Sequence, residues 1–158
     1  MKDKKIIAIG SDHAGLELKE AIKKVLSDEE IKFKDYGTHN SDSTDYPDYA
    51  VKVALAVAEG KHEKGILFCG SGIGASIVAN KIPGIRAALC SDVYSAKMSR
   101  LHNDANILAL GGRVIGKGLA EEVVKTWLKT KFSNGENHKR RIAKIKAIEE
   151  KYGRDKKN

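Results

Sequence analysis

Residues 65–76 read Gly-Ile-Leu-Phe-Cys-Gly-Ser-Gly-Ile-Gly-Ala-Ser. An apolar, strand-like run ends at Cys69, a glycine turn follows at once, and a helix-like stretch continues to about Asn80. Gly70, Gly72 and Gly74 let the chain bend and let a ligand approach the backbone. A helix that begins at such a turn attracts anions and activates a nearby thiol. The stretch therefore predicts a strand–turn–helix unit with a reactive Cys69 beside a site for phosphate or an oxyanion.

The same alternation extends in both directions. Lys5–Gly10, Ile31–Tyr36, Ile66–Cys69, Ile85–Cys90 and Asn106–Leu110 read as five strands. Between and after them, helix-period segments run over Leu16–Leu26, from near Pro47 to Ala58, Val93–Leu101, Gly116–Lys131 and about His138–Lys151, and residues from about 152 to 158 are expected to fray. Strand–helix alternation of this kind predicts a three-layer, Rossmann-like, doubly wound α/β fold. Its five-stranded sheet is parallel, and an extra helix follows at the C-terminus. At 158 residues, with no linker or repeat, one domain over 1–158 is expected. Ligands of such sheets bind beyond the carboxyl ends of the strands.

Composition narrows the partners. No apolar run approaches the roughly 20 residues of a membrane span, and the start has no signal-peptide pattern, so a cytoplasmic protein without a membrane partner is expected. Cys69 and Cys90 show no zinc-type spacing and are read as free thiols, Cys90 as a buried strand residue. The charge of +8 is concentrated: residues 129–158 hold 11 Lys/Arg against 4 Asp/Glu, and the other 128 hold 18 against 17. With aromatics at only 6%, the basic segment is read as a solvated helix face, and no nucleic-acid partner is expected.

Four clusters could carry chemistry. Asp12 and His13 follow strand 1 on the same edge as Cys69; the plainer reading makes Asp12 a helix N-cap and His13 a surface residue. Arg113 follows strand 5, again on that edge, and a guanidinium suits phosphate. His102 and Asn103 precede strand 5 and so lie on the opposite, amino edge. Strands of five or six residues separate the edges by ~17–20 Å. His102 is then either structural or part of a site completed by a second subunit. A basic turn, His138–Arg141, opens the last helix. A rival reading takes Gly70-x-Gly72-x-x-Ala75, with Asp92 twenty residues past Gly72, as a dinucleotide fingerprint.

Taken together, Gly10-Ser-Asp12-His13-Ala-Gly15, Thr44-Asp45-Tyr46-Pro47, Cys69-Gly-Ser-Gly-Ile-Gly74, Asn80-Lys-Ile-Pro-Gly-Ile-Arg86-Ala, Ser99-Arg-Leu-His-Asn-Asp-Ala-Asn106 and Gly112-Arg113-Val resemble the type B ribose-5-phosphate isomerases. That family also holds galactose- and allose-phosphate isomerases. The resemblance implies an aldose–ketose isomerase acting through an enediolate, without cofactor or metal, as a homodimer or dimer of dimers with shared sites. It implies Cys69 as the base and His102 as the acid that opens the sugar ring. Asp12, His13, Asn103 and Arg113 would contact substrate, Tyr46 would line the pocket, and Gly70, Gly72, Ile73 and Gly74 would surround the reacting carbons. Another branch carries a Glu base where this chain has Ala75. Ser71 and the turn's N–H groups are suited to hold the enediolate oxygen. Where the family reads Gly-Gly-Arg-His, this chain reads Asn134-Gly135-Glu136-Asn137-His138. Glu136 or Asn137 thus replaces a phosphate-gripping Arg, which leaves His138 and Arg141 (or Arg140, in the other register) for the phosphate and opens the choice between five- and six-carbon sugars.

Overall fold

The computed structural model describes residues 6–153. Its centre is three strands, β1 (Ile7–Ser11), β3 (Gly65–Cys69) and β5 (Ile107–Gly111), in which every residue is buried. Near-continuous apolar strands are what a parallel sheet covered on both faces requires. Two three-residue edge strands, β2 (Phe33–Asp35) and β4 (Ala87–Leu89), complete an all-parallel sheet in the order β2-β1-β3-β5-β4.

Two cores flank the sheet. On one face, α1 (Leu16–Asp28), α4 (Val93–Asn103) and α5 (Lys117–Lys129) bury Leu18, Ile22, Leu26, Ala96, Val123 and Trp127 against Ile9, Phe68, Leu108 and Leu110. On the other, α2 (Tyr46–Ala58) and α3 (Ile73–Ala79) bury Ala50, Val53, Ala54, Val57, Ala75 and Ala79 against Leu67, Ile107 and Ala109. The expected three layers are present. Trp127 is fully buried, lies under Lys64 and Arg100, and its indole Nε1 has no partner among the described residues. A sixth helix, α6 (Glu136–Tyr152), touches α4 and buries only Ile142.

Several element ends differ from the sequence reading, each for a local reason. Strand 2 was expected from Ile31, but the Ile31 N–H closes α1 by donating to Leu26 O at 2.8 Å, with Glu30 left-handed before it. Strand 4 was expected from Ile85; there Ile85 N–H turns back to Ile82 O and Arg86 N–H goes to the Asn106 side chain. Helix α4 runs two residues past Leu101, so His102 and Asn103 are its last turn, ended by left-handed Asp104. Helix α6 starts at Glu136 rather than His138, and Tyr152, expected to fray, is its last residue before Gly153. The start of strand 1 at Lys5 and the fraying of 154–158 lie outside the described residues.

After β1 the chain enters α1 on one face; after β3 it enters α3 on the other. The crevice between those two exits, at the carboxyl edge, is where a parallel sheet offers room for a ligand.

Candidate active site

A cavity of about 360 Å³ opens at that crevice. Its walls come from three strand exits and two helix starts: Asp12, His13 and Ala14 after β1, Cys69, Gly70 and Ser71 after β3, Arg113 and Val114 after β5, with Tyr46 of α2 and Gly74 of α3 closing a side. Eight residues expected at the site thus meet: Asp12, His13, Tyr46, Cys69, Gly70, Ser71, Gly74 and Arg113.

Backbone bonds lock these exits together. Gly112 N–H donates to Cys69 O at 2.8 Å and Arg113 N–H to Gly70 O at 2.9 Å, which seats Arg113 over the glycine turn. Gly72 caps α3 in the left-handed region at φ 78°, and a Cβ there would stand 2.5 Å from Leu89 Cδ1. At Gly74 a Cβ would lie 2.5 Å from the Tyr46 ring, so this glycine is what lets Tyr46 lie against the turn.

The thiol is 3% exposed, and Gly72 N–H donates to Cys69 Sγ at 3.1 Å. Ile73 N–H donates to Ser71 Oγ at 3.2 Å. Two N–H groups expected to be free for an oxyanion are therefore engaged by side chains. Because the Ser71 oxygen accepts, its own O–H remains available to donate. Gly72 and Ile73 do not line the cavity; Gly72 is buried and Ile73 points largely to solvent at 52% exposure.

Asp12 is nearly buried and its Oδ1 accepts from Gly15 N–H at 2.9 Å. It therefore ties the turn ahead of α1, whose N-cap is Gly15 and not Asp12. His13 is held by Thr44 in both directions: His13 N–H donates to Thr44 Oγ1 at 3.2 Å, and Thr44 N–H donates to His13 Nδ1 at 3.1 Å. Thr44, Ala14 and Val114 were not singled out as site residues; Thr44 reaches His13 across 31 residues, which no local pattern announces.

Beneath this edge lies a buried ion cluster. Lys19, fully buried, donates to Asp35 at 2.8 Å and to Thr38 O, while Lys23 reaches the other Asp35 oxygen at 3.1 Å. Burial works against the Asp35 carboxylate, but Lys19, the Gly37 N–H and Lys23 outweigh it and hold its carboxyl below the ordinary range. Burial pushes the Cys90 thiol up to about 11.

Four of the expected residues, His102, Asn103, His138 and Arg141, are elsewhere. The β3–β5 register pairs Cys69 with Gly111 and Gly65 with Ile107, so His102 and Asn103, ahead of Ile107, lie at the amino edge. There the rings of His102 and His138 stack at 4.3 Å and 9°. Loss of solvent, and then His102 and Arg141, hold the His138 imidazole below the usual histidine value. Arg140 donates to Asn137 at 2.8 Å. Asp104, which ends α4, is gripped by Arg100 at 2.8 Å and by Arg86.

The fingerprint reading fails on topology. β5 stands between β3 and β4, and Asp92 is occupied as the N-cap of α4, accepting from Ser95 N–H at 2.7 Å.

The family profile described as Ribose/Galactose Isomerase matches residues 7–145. The chain belongs to that family and is an isomerase. Within it, the likeness is to the type B ribose-5-phosphate isomerases. The chain is 50% identical over 147 residues to ribose-5-phosphate isomerase B of Escherichia coli, covering 93% of this chain and 98% of that one. The structure of ribose-5-phosphate isomerase B from Clostridium thermocellum superposes with a TM-score of 0.91 at 54% identity, covering 93% and 99%. D-erythrulose-4-phosphate isomerase of Pectobacterium atrosepticum is 47% identical over 130 residues, covering 82% and 86%.

Proposed function

We propose that the chain interconverts ribose 5-phosphate and ribulose 5-phosphate through an enediolate, as one domain acting in a homodimer with shared sites. The observation that carries this reading is the cavity that gathers a buried thiol, a hydroxyl, a carboxylate, an imidazole and a guanidinium at the β1/β3 crevice. Cys69 takes the C2 proton of the open-chain aldose; the electron pair enters the C1–C2 bond and charge moves onto O1. Ser71 O–H donates to that oxygen. The proton returns at C1 while the hydroxyl proton of O2 passes to O1, which leaves the ketose. Asp12 and His13 hold the sugar, and Arg113 takes the phosphate.

His102 opens the furanose by protonating the ring oxygen as its bond to C1 breaks, while the O1 hydroxyl loses its proton to water and becomes the aldehyde oxygen. It does so from the partner, together with Asn103, His138 and Arg141, because within one chain it lies at the far edge of the sheet. Exposed apolar side chains, Val114 on the cavity wall and Ile73 and Ile77 on α3, support a covering subunit there. Mixing Cys69→Ala chains with His102→Asn chains tests both roles at once. Hybrid dimers then hold one intact site, and about a quarter of wild-type turnover returns on subunit exchange. A mixture as inactive as its parents overturns the shared site.

The sugar is read from initial rates on four-, five- and six-carbon sugar phosphates side by side. A six-carbon preference is the alternative reading. It is favoured by Glu136 and Asn137 in the first turn of α6, one of which stands where the family resemblance places an arginine.

A further inference from the structure

His13 and Thr44 exchange two hydrogen bonds, and the one that Thr44 donates has a chemical consequence. A backbone N–H can only donate, so His13 Nδ1, 3.1 Å from Thr44 N, presents a lone pair. The neutral imidazole must then carry its proton on Nε2. Nε2 has no protein partner among the described residues. His13 borders two cavities, the Cys69 cavity of about 360 Å³ and an adjoining one of about 480 Å³, and Arg113 borders both as well. The free N–H is thus offered where an anionic or hydroxyl oxygen would meet the guanidinium.

We propose that Thr44 is a positioning residue for the isomerase: it fixes His13 as the Nε2–H tautomer, which donates to an oxygen of the bound sugar phosphate. This rests on the reading of the Cys69 cavity as the sugar-phosphate site. Each half of the clamp has its own task. Thr44 Oγ1 accepts from His13 N–H and holds the turn after β1 in place; Thr44 N–H selects the tautomer. The clamp also fixes the loop that enters α2, two residues before Tyr46 on the cavity wall.

The tautomer is tested without substrate. In the ¹⁵N-labelled wild-type protein at mildly alkaline pH, with His13 assigned by its absence in His13→Gln, Nδ1 reads as unprotonated and Nε2 as protonated. A proton on Nδ1 overturns the proposal. Turnover supplies the other arm. Thr44→Val removes only the hydroxyl acceptor and lowers kcat/KM about tenfold, chiefly through KM, while Thr44→Ser stays near wild type. A Val variant with wild-type kinetics, or a Ser variant as impaired as Val, overturns the positioning role of the Thr44 hydroxyl. If the wild-type chain turns over no sugar phosphate, the function fails, and the tautomer still decides the clamp.

Discussion

The two edges of the sheet are built differently. The carboxyl edge is tightly tied: three strand exits are cross-bonded, Cys69 and Asp12 are nearly buried, and Lys19 and Asp35 brace it from below. The amino edge presents His102 and His138, half-buried, with Asn103 and Arg141 exposed, on helix ends. The carboxyl edge has the build of a preorganised reaction cup, and the amino edge that of an open rim. The proposed mechanism divides its tasks along the same line: the thiol must be aimed to a fraction of an ångström, and the proposed ring-opening acid would arrive with a partner subunit.

The largest effect should fall on the cup. Cys69→Ala is expected to lower kcat by roughly 10²–10⁴-fold with the fold retained, read by ribulose 5-phosphate formation and circular dichroism. Turnover close to wild type would remove the thiol from the mechanism. Next comes the rim. His102→Asn is expected to depress turnover of the ring-closed substrate much more than that of an open-chain analogue, and equal losses would count against ring opening.

The brace beneath the cup is a matter of stability. Lys19→Met leaves a nearly buried Asp35 with Lys23 as its remaining lysine partner and His39 3.8 Å away, and a loss of about 3 kcal/mol is expected in denaturant titration. Because the Asp35 carboxyl lies below its ordinary value, its contribution is complete above about pH 4 and is lost as pH falls through the folded value. The variant should therefore show a flatter acid limb than wild type; identical acid limbs would mean Asp35 is not the group being protonated. The smallest effect is at the stacked pair. His138 is expected to titrate below about 6.5 by NMR and to move up in Arg141→Gln. Protonation there works against the fold as pH drops below that value, since the unfolded chain binds the proton more readily.

Much of the cup was legible because its residues follow strands directly. Once KIIAIG, ILFC and NILAL were read as strands, Asp12, Cys69 and Arg113 had to share an edge. The same reasoning put His102 on the other edge. Illegible features are those that join distant parts of the chain. Nothing near His13 announces Thr44, and nothing near His102 announces a ring 36 positions later. Element ends were misjudged where a cap took the residue that periodicity had assigned to a strand, as at Ile31. The dinucleotide fingerprint was a spacing without a topology: it matched in sequence and failed because β5 lies between the turn and Asp92.

Trp127 carries a practical consequence. It is the chain's single tryptophan, sealed between α5 and the sheet under two cations. Arg100, one of those cations, also grips Asp104 at the end of the helix that bears His102. The indole therefore works as a built-in optical gauge: its emission is expected at short wavelength while that seam is closed and shifts red as water enters. Loosening of the helix that bears His102 can thus be followed by fluorescence in an unlabelled protein, separately from anything that happens at the thiol.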